Sequence, residues 1–162
     1  MRKNNKDNKV VLILHNIRSA YNVGSIFRTA DAAGIKDIYI TGYTPAPKDN
    51  FGKYRKDIAK TALGAEKTID WSYFKYIKTA VEKLKNERFE IAAVEQSRNS
   101  IDYKKYKPKK KTAIILGNEV RGLSNNILDK CDSILEIPMK GKKESLNVSV
   151  AAGIVIFRIF NI

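Results

Sequence analysis

The sequence predicts an α/β protein built on an open parallel sheet flanked by helices. Three observations carry that prediction. Residues 10–14 (VVLIL) and 112–116 (TAIIL) are unbroken apolar runs, the pattern of strands covered on both faces. Strand-like and helix-like segments alternate along the chain. The first two strands flank one helix through short connections, a β–α–β unit, which makes those strands parallel.

The elements follow in order. Residues 1–9 (MRKNNKDNK) form a polar N-terminal tail, and residues 10–162 form a single domain without internal repeats. After the strand at 10–14, Asn22 or Ser19 is placed to cap a helix over 23–33, which Gly34 closes before a strand at 37–41. Residues 42–56 read as a long surface loop rich in proline, aromatic and basic residues, and long ordered loops are commonly functional. A short helix over 57–63 ends at Gly64, and 67–70 reads as a brief strand. Ser72 or Asp70 then caps a helix running to 86, with Phe74, Ile77, Val81 and Leu84 on one face. A strand at 89–94, a polar connection over 96–111, the strand at 112–116, a short helix at 125–130 and a last strand at 133–137 complete the sheet. Pro138 breaks that strand, a polar loop crosses 140–144, and the chain enters a final helix at 145–147. This helix is apolar almost all round, which implies burial on most sides, and Arg158 and its short length exclude a membrane span.

The net charge is +14, which favours a polyanionic partner, most often nucleic acid. With 43% hydrophobic residues the chain can still build a core. One cysteine, Cys131, and one histidine, His15, exclude a disulfide framework and a zinc cluster. Cys131 and Trp71 read as core residues, and His15 as structural or adjacent to RNA. No apolar signal segment follows the basic N-terminus, so the expected location is cytoplasmic.

Gly117 and Gly122 have phosphate-loop spacing, but Leu123 and Ser124 stand where such a loop needs Lys-Ser/Thr, and no GxGxxG follows residues 10–14. A nucleoside triphosphatase and a nicotinamide dehydrogenase are thereby disfavoured. A DNA-binding reading lacks a helix-turn-helix or zinc pattern. What remains is three polar, glycine-bearing loops at strand ends, 22–28, 117–124 and 138–147. In open α/β sheets ligands bind beyond the carboxyl ends of strands. These loops offer Asn22, Arg28, Glu119, Arg121, Ser145 and Asn147, a hydrogen-bonding and charged set without metal ligands. Ser145 has no general base beside it in sequence, which weakens a hydrolase reading.

NVGSIFRTADAAG, ILGNEVRGLS and IPMKGKKESLNVSVAAGI, in that order, resemble the three motifs of the SpoU/TrmH class of SPOUT RNA 2′-O-ribose methyltransferases. The likeness covers the first quarter and most of the last third of the chain; residues 42–111 carry it loosely. It implies an S-adenosyl-L-methionine-dependent enzyme, a deep C-terminal trefoil knot (the α/β knot) and an obligate homodimer. It implies cofactor contacts by Leu116 and Gly117, by Ile137, Pro138 and Met139, and by Ser145 and Leu146. Gly117 and Gly141 would allow close backbone approach to that cofactor. Arg28 would stand nearest the chemistry, with Asn22, Glu119, Ser145 and Asn147 completing the catalytic set and Glu119 able to orient Arg28 or to help offset the cofactor's positive charge. Arg28 and Asn22 would face a cofactor bound in the partner subunit. A guanidinium stays protonated, so Arg28 is expected to position phosphate and hydroxyl and to stabilise oxyanion charge rather than act as the base.

Lys53, Tyr54, Arg55 and Lys56, with Lys48, mix cations with an aromatic ring and suit RNA contact, as does Arg121. The tract 104–111 holds six lysines in eight residues, and a solvated loop and an RNA clamp are both open there. Related enzymes carry further RNA-binding domains, whereas here recognition is expected to fall to the domain, its dimer partner and the basic loops. The expected substrate is tRNA ahead of rRNA, with no metal and no membrane. A non-catalytic RNA-binding protein that keeps the knotted fold is the alternative.

Overall fold

Seven short, largely apolar segments pair as one parallel sheet in the computed structural model, which describes residues 8–162. The expected tail therefore lies, for residues 1–7, outside the described residues. The strands are β1 (Lys9–His15), β2 (Asp37–Thr41), β3 (Asp70–Phe74), β4 (Glu90–Val94), β5 (Ile101–Asp102), β6 (Lys111–Leu116) and β7 (Ser133–Glu136). Their spatial order is β3-β2-β1-β6-β4-β7-β5, and every pairing is parallel. β6 thus inserts between β1 and β4, and the winding reverses there. The α/β open parallel sheet flanked by helices expected from the sequence is the observed architecture.

Alternation along the strands divides the core between two faces. Leu12, Leu14, Ile38, Ile40, Ile114 and Leu116 point to one layer, filled by α1 (Ala20–Ala32), α2 (Lys56–Ala62), α3 (Ala65–Thr68) and α6 (Val148–Ile159). Val11, Ile13, Ile91, Ala93, Ala113 and Ile115 point to the other, covered by α4 (Ile77–Asn86) and α5 (Asn125–Leu128). No helix among the described residues is long and apolar enough to cross a membrane.

Several local expectations need correction. Residues 65–68 are helical, and the strand follows at Asp70–Phe74 in register with β2, Ile38 beside Trp71. Phe74 shares helical spacing with Ile77, Val81 and Leu84, but its ring packs on Tyr39 at 4.8 Å, so α4 starts only at Ile77. An aromatic edge strand outcompeted the helical period. Within 96–111 the two-residue β5 and a 3₁₀ turn at Tyr103–Lys105 form, and the buried Tyr106 hydroxyl donates to Glu90 Oε2 at 2.8 Å. A strand of two residues is too short to show a period. Finally, α6 buries Val148, Ala152, Val155, Ile156 and Ile159 but leaves Val150 and Phe157 exposed. One side of this helix packs on α1 and the sheet; the other has no cover among the described residues. Its N-cap is Asn147, whose side chain accepts from Ser149 N.

The caps of α1 explain its start. Ser19 Oγ accepts from the Asn22 N–H at 3.2 Å, which begins the helix at Ala20 rather than 23. Gly24 sets how closely α2 lies on α1. A Cβ there would meet Thr61 Oγ1 and the Ile58 carbonyl oxygen, and Thr61 Oγ1 donates to the Tyr21 carbonyl at 2.9 Å across the same contact. Gly24→Ala is expected to cost about 1–3 kcal/mol through overpacking, lowering Tm by roughly 2–10 °C at this chain length. Thermal denaturation checks it, and an unchanged Tm would show that α2 shifts freely.

Candidate functional site

The carboxyl ends of β6, β4 and β7 open on one cavity of about 300 Å³. That lies at the lower end of the size range for small-molecule sites, at the place where the winding reverses. Its apolar walls come from Leu116, Leu135, Ile137, Met139, Leu146 and Val148. Its polar lining comes from Glu95, Gln96, Asn118, Glu119, Glu136, Glu144 and Ser145.

Of the residues expected to hold a cofactor, Leu116, Gly117, Ile137, Met139, Ser145 and Leu146 line this cavity. Pro138 lies outside it, on an adjoining cleft with Met139, Gly141 and Lys143. Gly117 has a reason within the chain: a Cβ there would sit 2.7 Å from the Leu123 side chain and 3.1 Å from the Gly122 carbonyl carbon. The loop folds back on itself, and close packing of the chain demands the glycine. At Gly141 a Cβ meets nothing within 4 Å, so the chain's own packing does not require glycine there.

The three polar loops meet in one chain of hydrogen bonds. Asn147 Nδ2 donates to Asn22 Oδ1 at 3.1 Å, and Asn22 Nδ2 donates to Glu119 Oε1 at 3.1 Å. Glu119 also accepts the Arg18 N–H at 3.0 Å and the Ser19 N–H at 3.2 Å, both at the start of α1. Burial alone would raise the Glu119 pKa, but the donors of Arg18, Asn22 and Ser19 outweigh it and hold the carboxyl below its ordinary value. Beside it, buried Asn118 satisfies all four of its hydrogen-bonding positions. Its Oδ1 accepts from Val120 N and Arg121 N, and its Nδ2 donates to the Asn16 carbonyl and to the Tyr43 hydroxyl.

Arg28 is not part of this chain of contacts. It is exposed on α1, outside the cavity lining, and makes no ion pair among the described residues. Glu119 faces α1's first turn and does not orient Arg28. Ser145 is exposed at the cavity rim.

The loop at 42–56 is an ordered hairpin bridged at Lys48 and Tyr54, with Asp49 Oδ1 accepting from Phe51 N and Lys53 N. Tyr54 already holds Lys48 Nζ 4.8 Å and Lys67 Nζ 5.3 Å from its ring centre. Arg55 pairs with Asp57 at 2.7 Å, while Lys53 and Lys56 are exposed. Arg121 is exposed beside the cavity. The lysine tract starts just past the carboxyl end of β5, where Lys104 Nζ lies 3.6 Å from Asp102 Oδ2, and runs to Lys111, which enters β6 beside Lys9 of β1 at the amino-terminal edge of the sheet, opposite the cavity. His15 Nδ1 contacts Thr41 Oγ1 at 2.8 Å, and burial lowers its pKa, which fits a structural role. Cys131 is half-buried in the α4/α5 layer, where burial pushes its thiol up to about 11. Trp71 is half-buried against the core on the α1 side.

The sequence reading overlooked Glu95 and Gln96. Glu95 Oε2 accepts the Leu123 N–H at 3.0 Å, and Gln96 Nε2 donates to the Glu144 carbonyl at 2.6 Å. Their signal was available, a polar pair directly after an apolar strand, but the loop lacks the glycines that marked the others. Asn118 lay within a marked loop without being singled out.

The carboxylate of Glu119 yields a pH prediction. Its folded pKa is depressed, so its stabilisation is full above the ordinary glutamate range and is lost as pH falls through the folded value. Glu119→Gln should therefore lower Tm at pH 7, and the gap to the parent protein should shrink below about pH 4.5. A gap independent of pH, measured by thermal melts from pH 7 to pH 3, would remove the carboxylate's charge from the account.

The SpoU rRNA Methylase family model matches residues 9–157. A Staphylococcus aureus (strain COL) protein named as a TrmH family tRNA/rRNA methyltransferase is 34% identical over 150 residues, covering 93% of this chain. The chain spans 58% of that relative's length. Among solved structures, an A. aeolicus TrmH/SpoU tRNA modifying enzyme superposes with a TM-score of 0.82 at 27% identity, over 95% of this chain and 75% of its own. An AdoMet-bound rRNA methyltransferase from Sinorhizobium meliloti superposes with a TM-score of 0.83 at 24% identity, over 96% of this chain and 57% of its own, and shares the fold.

Proposed function

Because the chain belongs to the SpoU rRNA methylase family, we propose that it transfers a methyl group from S-adenosyl-L-methionine to a ribose 2′-hydroxyl of structured RNA, tRNA ahead of rRNA. The observation that carries this reading is the Asn147–Asn22–Glu119 chain at the cavity, which joins all three motif segments. The A. aeolicus neighbour, described as a tRNA modifying enzyme, is the reason for putting tRNA first.

The lining fits the cofactor. Leu116, Leu135, Ile137 and Leu146 offer apolar faces to an adenosine, and the carboxylates of Glu95, Glu119, Glu136 and Glu144 suit a ligand bearing a positive sulfonium. Bound there, S-adenosyl-L-methionine would supply an electrophilic methyl. Cys131, the single cysteine, lies in the other helical layer with a raised thiol pKa. No thiolate is therefore at hand to activate a carbon acceptor, and an oxygen acceptor suits the amide, hydroxyl and guanidinium groups present. Asn22, Asn147 and Ser145 would orient the ribose at the rim. Glu119 would hold Asn22 and the start of α1 in place. The Arg28 guanidinium would grip an RNA phosphate and stabilise the developing alkoxide while the hydroxyl proton passes to water.

The homodimer and the knot belong to the same proposal. Val150, Ile154 and Phe157 fall on one side of α6 at helical spacing, and Val150 and Phe157 are exposed. α6 packs along α1, which bears Arg28. A second copy covering that apolar stripe would bring Arg28 toward the partner's cavity and supply a cation that no described residue of the cavity lining provides. In favour of the knot, β7 lies beyond β4, yet α6 returns to α1. Residues 137–147 therefore cross the ends of β4 and β6 and are tied to Gln96 on the way.

Calorimetry with S-adenosyl-L-methionine, against ATP and NAD, should show selective binding, and labelled methyl should enter bulk tRNA. A folded protein that binds no cofactor would favour a non-catalytic RNA-binding role instead. Arg28→Ala and Ser145→Ala should each lower methyl transfer roughly 100-fold or more while leaving the melt unchanged. Co-expressing the two variants should recover activity, because one mixed site then holds both native residues. No recovery would place Arg28 and Ser145 in one subunit's site, or outside the chemistry.

A further inference from the structure

We propose that the carboxyl edge of the sheet from β6 to β3 is a track for a single-stranded RNA segment next to the methylated nucleotide. Its first subsite is formed by Arg18, Tyr43, Val120 and Arg121. The proposal rests on the RNA methyltransferase reading and adds where, and by what chemistry, the flanking chain is held.

A second cleft, about 530 Å³, adjoins the first and shares its Asn118–Val120 wall. Tyr43 stands in it and is 58% exposed as a residue, yet it is pinned at both ends. Its N–H donates to Asn16 Oδ1 at 3.2 Å, and its hydroxyl accepts from Asn118 Nδ2 at 2.9 Å. An exposed ring held this way is a preorganised stacking surface rather than a mobile side chain. Val120, 79% exposed, presents an apolar face on a loop fixed by Asn118 Oδ1. Arg18 and Arg121 flank the ring, both exposed, and among the described residues neither makes an ion pair. Cations and a ring around one cleft match a nucleotide, with its phosphates on the guanidiniums and its base on the aromatic face.

Strand register extends the cleft into a track. Leu116 lies beside Leu14, His15 beside Thr41, and Thr41 beside Phe74. The loops that follow β6, β1 and β2 bring Arg121, Arg18 and Tyr43 to one cleft, and Lys75 and Tyr76 come directly after the end of the neighbouring β3. The row crosses three strand spacings, about 14 Å. At its far end Tyr76 is exposed, with Lys75 Nζ 5.3 Å from its ring centre. Alternating cations and rings bind single strands with little sequence preference.

The test measures binding of labelled decauridylate and bulk tRNA over a salt series. Tyr43→Ala should weaken decauridylate binding roughly 5- to 100-fold without changing the salt slope. Tyr43→Phe keeps the ring and should lose much less. Arg18→Gln and Arg121→Gln should each reduce the slope by about 0.7, and Tyr76→Ala should weaken binding further from the cavity. Calorimetry with S-adenosyl-L-methionine on every variant reports the first cavity independently. If Tyr43→Ala fails to fold, the arginine slopes decide. Parent-like RNA binding by these variants, or a parent that binds the cofactor but not decauridylate, overturns the track. A parent that binds RNA with the expected pattern but no cofactor keeps the track and sinks the methyltransferase reading.

Discussion

Glu119 accepts hydrogen bonds from Arg18, Ser19 and Asn22, on a segment about a hundred residues away in sequence. The rest of the site depends on this carboxylate. It satisfies backbone donors at the start of α1, where a helix leaves N–H groups unpaired and favours negative charge. In doing so it fixes Asn22, and Asn22 in turn accepts from Asn147, the N-cap of α6. Three loops at three points of the chain become one rigid surface through polar groups that would be costly to leave unpaired. Asn118 does the same for the next loop, with all four of its positions used.

The sheet order explains why those loops can meet. β6 sits between β1 and β4, so the loop after β6 reaches the start of α1 on one side and Glu95 on the other. The return of the chain from β7 to α6 closes the remaining side with Met139, Glu144, Ser145 and Leu146. The lysine tract ends at the far edge of the sheet, where Lys111 lies beside Lys9 and away from the cavity. Charge alone marks a nucleic-acid partner; position relative to the strand ends marks which cations can serve the site.

Much of the fold was legible in the residues. The runs 10–14 and 112–116 are buried central strands, and Ser19 caps the helix that follows the first. The errors fall where local patterns were short or shared. Phe74 fits a helical face and an edge strand equally, and β5 has only two residues. For the site, polar glycine-bearing loops after apolar strands pointed to Asn22, Glu119, Ser145 and Asn147. Glu95 and Gln96 escaped because nothing local distinguishes a polar pair lining a cavity from one facing water.

The sequence by itself determined the α/β class, the order of most elements, and the three polar segments that come together. Those features follow from local chemistry: apolar period, capping side chains, and residues that interrupt strands. Only the tertiary structure decided that Glu119 serves α1 rather than Arg28, and that Arg55 is tied to Asp57. It alone left Val150 and Phe157 of α6 exposed and led the lysine tract to the opposite edge of the sheet at Lys111. Strand order and helix docking are set by packing between segments distant in the chain. No local pattern encodes which charged group finds which partner once those segments are assembled.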